Sequence, residues 1–443
     1  MTRYLPLLTL LVAALLVGTA QAQVGHVLSG VGPVDQAWSG AGTANPQDAL
    51  GALHWNPAAI TSLEGTSLNF SLQLLFPTGD IASTVNQGAL GPQFGPPATL
   101  SGITDSEAGP FPIPAVGFVH APKDARWAVG LSAFGVGGFG VDYEGSGMGQ
   151  GGNPVLTPQP PNGFGFGPIF SEFSLMQISP TVAYKLSEHV SIGVAPTLNV
   201  SFLEVTPFPA TQPDDANGDG FPSYPEAPRE SAFGYGFQAG VQVHDLNGFH
   251  LGASFKSTQH FGDLKFDSQD EMGHARAFEF NLDYPMILSF GIGYSGLDRW
   301  EFAADVRYLD FENTDGFNEA GFDQTGAVTG FGWNSIVSFA SGVQYDVTKR
   351  LPVRLGYSFN QNPIDDEVTF FNTPSPAIIQ HRLSGGFSYV VSPKVTASLA
   401  AQYGFENSIK GPWVHPQFGA LPPTEVECGL STFFVVFGID VTL

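Results

Sequence analysis

The segment PDDANGDGFPSYPEA spaces Asp215, Asn217, Asp219, Gly220 and Glu226 as D-x-[DN]-x-[DN]-G-x5-E, a pattern whose oxygens wrap a calcium ion while its glycine makes the tight turn. Pro222 and Pro225 forbid the helix that usually follows, so the segment is either a loop-only calcium site or a solvated acidic loop. GVGGFG at 135–140 matches G-x-G-x-x-G, but no helix start follows it to receive a phosphate. There is no G-x-S-x-G and no H-E-x-x-H, and the ten histidines are scattered. The sequence therefore reads as a non-enzyme that needs no cofactor. Calcium in the one loop is the only ion it suggests, and a lipase-like Ser–His barrel is a remote alternative.

The elements that would position these residues are strands. In FHLGASFK, Phe249, Leu251, Ala253 and Phe255 share one face, and His250, Gly252, Ser254 and Lys256 share the other. The same alternation recurs in fourteen segments, starting near Leu68, Ile113, Trp127, Phe173, Val190, Phe233, Phe249, Phe278, Trp300, Asn334, Val353, Gln380, Val395 and Leu430. Their connections alternate between short ones such as LSEH, DLNG and SPK and long ones rich in Gly, Pro and Asp. An even strand number with short turns at one end and long loops at the other predicts an all-β fold, a 14-stranded antiparallel transmembrane β-barrel with both termini on the periplasmic side. Trp127, Trp300, Tyr184, Tyr294, Tyr345 and Tyr389 sit beside the short turns on the apolar faces, where an interfacial aromatic girdle belongs.

The ends and the composition agree. Residues 1–22 carry Arg3, an apolar core and Ala20-Gln21-Ala22, the pattern of a cleaved signal peptide, and no later segment is apolar for ~20 residues. A single cysteine, Cys428, rules out an intramolecular disulfide framework. The net charge of -24 argues against nucleic-acid binding, and 38 phenylalanines call for an apolar environment. Between signal and first strand, SGAGTANPQDALGALHWNPAAITSLEG predicts two short helices. One is capped by Asn45 with Pro46 behind it, the other starts at Asn56-Pro57, and Gly65 ends the pair. Helices this short do not stand alone, so they are expected to plug the lumen. The boundaries are 1–22 signal peptide, 23–66 hatch and 67–443 barrel.

DALGALHWNPAAI followed by such a barrel resembles the FadL family of outer-membrane transporters, which includes the TodX-type hydrocarbon channels. The resemblance continues through IPAVGFVHAPKDARWAVGLSAFGVGGFG, ISPTVAYKLSEHVSIGVAP and PVRLGYSFNQNPIDDE, and Asn56, Pro57 and Ala58 are its most specific element. It implies passive uptake of long-chain fatty acids or other hydrophobic molecules across the bacterial outer membrane, with outer-membrane lipid as the other partner and no enzymatic step. It also implies an N-terminal hatch, an apolar pocket and a sideways exit beside a kinked third strand. In that strand Gly135, Gly137, Gly138 and Gly140 crowd the middle, where glycine packs nothing and marks a bulge or kink.

By alternation Val116, Phe118, Leu175, Ile287, Leu309, Ile336 and Phe434 point into the lumen, which a water-filled porin would not favour. Glu301, Asp305 and Arg307 are expected to form a lumenal ion network. Lys256, Arg307 and Arg382 are the inward cations away from the periplasmic turns and the candidates to meet a fatty-acid carboxylate. The acidic surface works against steering an anion, which keeps a neutral hydrocarbon in play. The chain is expected to act as a monomer. The polar porin is the competing reading.

Overall fold

The computed structural model describes residues 23–90, 98–149 and 151–443. The expected signal peptide, residues 1–22, lies outside them. Fourteen strands form the wall: β1 (Gly65–Val85), β2 (Phe111–Ala121), β3 (Trp127–Tyr143), β4 (Ile169–Lys185), β5 (Val190–Thr206), β6 (Ala227–Leu246), β7 (Phe249–Lys256), β8 (Met286–Leu297), β9 (Trp300–Asp310), β10 (Ile336–Thr348), β11 (Leu351–Asn360), β12 (His381–Ser392), β13 (Val395–His415) and β14 (Gly419–Thr442). Each pairs antiparallel with the next, and β14 returns to β1 from Thr442↔Ser67 to Thr424↔Val85, which closes the barrel and leaves no terminal edge.

The outer face is a lipid belt. Leu72, Ile178, Val194, Leu198, Phe237, Phe290, Leu355 and Phe437 are all exposed on alternate positions. At the short-turn end, Trp127 lies opposite Tyr184, Trp300 opposite Tyr345 at 4.6 Å between rings, and Phe249 opposite Tyr294 at 4.6 Å. The chain closes at this same end, with Leu443 N–H donating to Thr66 O at 2.9 Å.

Inside sits the hatch, made of a hairpin (Gln23–Val24 with Val27–Leu28), α1 (Gly32–Ala37), α2 (Ala49–Trp55) and a 3-10 turn (Pro57–Ser62). Three sequence expectations need correction. The cap of α2 is Asp48, whose carboxylate accepts from Gly51 N–H at 2.8 Å, rather than Asn45; the chain bends at Asn45-Pro46 and turns helical only afterwards. The alternation near Phe278 belongs to an extracellular hairpin, Leu264–Gln269 with Ala275–Phe280, and the wall strand starts at Met286. The wall begins at Gly65, not at residue 67.

Candidate functional site

Asn56, Pro57 and Ala58 fasten the hatch to the wall. Asn56 Oδ1 accepts from Ala58 N–H at 3.1 Å, which starts the 3-10 turn, and its amide donates to Thr43 O at 2.8 Å and to Val241 O of β6 at 3.1 Å. The Asn-Pro step fits because Gly193 of β5 and Gly240 of β6 are cross-strand partners without side chains; a Cβ on Gly240 would collide with Asn56 Oδ1 and lie 3.1 Å from Pro57 Cδ. Neighbouring wall side chains satisfy the carbonyls at the end of α2: Gln238 donates to His54 O and Trp55 O at 3.1 and 3.0 Å, and Ser254 donates to Trp55 O at 2.5 Å.

Arg307 belongs to this anchorage. Its guanidinium pairs with Asp305 at 2.5 Å, donates to Gly40 O at 2.5 Å and stacks 3.4 Å over the Trp55 ring, while Asp305 accepts from Thr43 N–H at 2.9 Å. The Trp55 indole donates to Asp35, and burial pushes that hatch carboxyl up to about 7. Glu301 accepts from Asn45 and Gln47. Among the described residues no carboxylate pairs with the other two cations: Lys256 donates to Gln177 Oε1 at 3.3 Å, and Arg382 to Asn360 Oδ1 at 2.6 Å and Ile379 O at 3.2 Å.

An aromatic box lies above the hatch. His26, on the hatch hairpin, stacks on Phe317 at 4.8 Å and is ringed by Phe311, Tyr284, Trp333 and Phe173 at 5.4, 5.5, 5.8 and 6.0 Å. Among the described residues neither ring nitrogen has a hydrogen-bond partner, and burial pushes the imidazole down to about 3, so it sits neutral. Lys256 extends over the Tyr284 ring at 5.9 Å. Leu175, Ile287, Leu309 and Ile336 join the buried lumenal cluster with this box, and Phe434 joins a second cluster with Leu28, Leu75, Phe111 and Ile113. Phe118 and Val116 do not face inward. Their neighbours Ala115, Gly117 and Val119 are the buried ones, and Gly117 lies against Leu50 and Leu53 of α2. Both faces of β2 are apolar, so alternation alone does not decide which one is the lumen.

The third strand is continuous but unequally paired. Its ladder to β4 runs from Trp127 to Tyr143 with a bulge between Gly135 and Gly137; its ladder to β2 ends at Ala115↔Phe134. Beyond that point the hatch hairpin takes the free edge, with Val27 pairing Gly137 and Gly138 N–H donating to His26 O at 3.0 Å. The prolines of β2 explain the stop. Along β1, Thr66 O meets the N–H of Leu443, just after β14, and Gly79 O meets Ser106 N–H at 2.8 Å on the opposite side, so odd residues of β1 bond toward β2. Phe111 and Ile113, opposite Leu75 and Gln73, therefore bond β1, and Pro112 and Pro114 present their missing N–H groups to β3.

The acidic loop caps itself. Asp215 accepts from Gly220 N–H at 3.2 Å, Asn217 from Asp219 N–H at 2.8 Å and Asp219 from Phe221 N–H at 2.8 Å. Glu226 offers its main-chain carbonyl to Ser268 at 2.5 Å. Among the described residues no group of three or more His, Cys, Asp or Glu gathers as a metal site.

Sequence reasoning missed His26, Gly193, Gly240, Pro112 and Pro114. The alternate prolines in FPIPAV carried a readable signal for a strand edge. The other three depend on contacts between distant parts of the chain.

A closed barrel with a lipid belt, an aromatic girdle and a lumen filled by its own N-terminal hatch defines an outer-membrane transport channel. A profile of the outer membrane protein transport protein family (OMPP1/FadL/TodX) matches residues 169–411, and the chain belongs to that family. Among solved structures, the toluene transporter TodX of Pseudomonas putida is similar over 94% of this chain and 99% of its own at 16% identity and a TM-score of 0.67. A FadL homologue of Pseudomonas aeruginosa is similar over 95% and 100% at 15% identity and 0.66, and the toluene transporter TbuX of Ralstonia pickettii over 94% and 99% at 18% and 0.64. At these identities the likeness is one of fold. No curated protein sequence matches the chain.

Proposed function

We propose that this outer-membrane channel takes up long-chain fatty acids or comparably apolar molecules and releases them sideways, between β2 and β3, into the membrane. The observation that carries this reading is the ladder that ends at Ala115↔Phe134 while β3 stays fully paired to β4. There β3 no longer has a ladder to β2 and a hairpin of the hatch pairs it at Gly137, an element that can leave without unzipping the barrel. The lumenal side of the seam is apolar, lined by Phe111, Ile113, Phe434 and the aromatic box that His26 now fills. A polar porin would line its lumen differently. The test is uptake of labelled hexadecanoate by cells expressing the full chain, beside liposome swelling with small sugars. Uptake of the acid with exclusion of the sugars is expected, and porin-like swelling with no hexadecanoate uptake would overturn the reading.

A further inference from the structure

The hairpin that takes the free edge of β3 carries a histidine at its turn. His26 gives its carbonyl to Gly138 N–H at 3.0 Å and its ring to the aromatic box. There it lies 9° from parallel to Phe317, with Tyr284 and Phe173 edge-on at 5.5 and 6.0 Å. Gly25 beside it takes a φ of 65° against Phe311, and His26 itself is 0% exposed. One residue thus joins a ladder bond to β3 with a ring seated among rings.

Nothing in the box compensates a charge on that ring. Among the described residues neither of its nitrogens has a partner. The Tyr284 hydroxyl donates to Val136 O at 3.5 Å, and Lys256 stands over the Tyr284 ring at 5.9 Å, where it adds to the cost of a second cation. β3 has no titratable side chain from Ala128 to Val141. The acids of the other flanking segments are engaged or turned out. Beside Tyr284, Asp283 accepts from Phe261 N–H and pairs with His260, both at 2.8 Å. Beside Phe173, Glu172 pairs with Arg229. Beside Phe311, Asp310 accepts from Asn313 and Ser335 at 2.7 and 3.0 Å, and Glu312 and Asp315 are exposed. Asp35 of α1 accepts from Val31 N–H and the Trp55 indole; burial raises its carboxyl, so acid favours its buried form and does not release the hatch. A ring buried among aromatics and unpaired takes a proton only by leaving.

We propose that His26 is a pH-sensitive latch: protonation of its imidazole drives the hairpin out of the aromatic box and off Gly138, so that acid in the external medium opens the wall between β2 and β3. That the opened edge is the exit rests on the uptake reading above; that the hairpin leaves does not. The sign follows from burial. The docked imidazole is held down at about 3 and a released one returns to about 6.5, so docking is undiminished above pH ~6.5 and weakens about tenfold for each pH unit below it, down to pH ~3. Between pH ~7.5 and pH ~5 the released fraction should rise about thirtyfold.

The test is hydrogen exchange at residues 137–138 of the purified full chain in detergent, followed from pH ~7.5 to pH ~5 and corrected for the pH dependence of intrinsic exchange. Wild-type protein is expected to lose protection there by roughly tenfold per pH unit below pH ~6.5. His26→Phe keeps a ring in the box but takes no proton, and should lose this response. His54→Phe, which alters the other buried hatch histidine, 5.5 Å from Phe134, should keep it. A flat wild-type profile, an unchanged response in His26→Phe, or a response abolished by His54→Phe would overturn the latch. The wild-type profile decides by itself if His26→Phe does not fold. Uptake of hexadecanol, which carries no titrating group, should rise at pH ~5 in cells expressing the wild-type chain and not in those expressing His26→Phe. Release at Gly138 without any rise in uptake would overturn the exit between β2 and β3 and leave the latch standing.

Discussion

The hatch meets the wall at glycines in two places, and the consequences are opposite. On β5 and β6, Gly193 and Gly240 receive Asn56 and Pro57 against a ladder that runs from Val190 to Val205, so the missing side chains only make room. On β3, Gly137 also lies against the hatch, 2.6 Å from its Cβ position to His26 O, but the ladder on that side has already stopped. Glycine in a strand is therefore ambiguous by itself. The neighbouring strand decides: β2 withholds two donors at Pro112 and Pro114. One region is a fixed dock, the other a seam that the hatch itself completes.

The largest expected effect comes from making the seam as closed as the dock. A Cβ on Gly135 would stand 2.8 Å from Ile113 Cγ2, which puts the two positions within disulfide reach, and the sole native cysteine, Cys428, is buried elsewhere. The double variant Ile113→Cys with Gly135→Cys, oxidised, should abolish hexadecanoate uptake and regain it on reduction. Uptake that ignores the redox state of a formed cross-link would place the exit elsewhere.

A smaller effect is expected at the dock. Gly240→Ala drives a methyl into Asn56 Oδ1, and displacing Asn56 forfeits a helix cap and two amide hydrogen bonds, about 1–3 kcal/mol of hatch anchorage. The barrel ladder is untouched, so the expected result is leakage of small polar solutes in liposome swelling with unchanged heat resistance. Gly137→Ala, by contrast, should push the hairpin off β3 through His26 rather than close the wall. Tight exclusion of sugars by a folded Gly240→Ala protein would mean that the Asn-Pro dock does not hold the hatch.

Much of this was legible in the sequence because its signals are local. Two-residue alternation gave the strands, and the tyrosines and tryptophans beside short turns marked the interface. Where alternation lacked contrast it misled: both faces of FPIPAVGFVHA are apolar, so Phe118 and Val116 read as lumenal although they face lipid. At Phe278 a true alternation belonged to an extracellular hairpin rather than the wall. The site was less legible than the fold. Arg307, Lys256 and Arg382 share a residue class and an inward face, and only the arrival of Asp305 and Trp55 at one, and Gln177 at another, tells them apart. Asp48 took the cap from Asn45 because the chain bends at Asn45-Pro46 before turning helical.

The smallest effect should come from returning to β2 the donors that distinguish it from β5 and β6. Replacing Pro112 and Pro114 with Val restores two N–H groups on the edge facing β3 and adds a residue type suited to strands, while the lumenal faces of Phe111 and Ile113 keep their side chains. Each new ladder bond contributes about 0.5–1.5 kcal/mol, and it competes with the bond that Gly138 N–H already makes to His26 O, so closure should be partial. Hexadecanoate uptake is expected to slow by roughly threefold to thirtyfold, with added hydrogen-exchange protection confined to residues 135–138. Hatch anchorage should not change, because Asn56 and its glycines are far from this edge, and sugars should stay excluded. Added protection with undiminished uptake would show that the prolines set the ladder's length without setting the path.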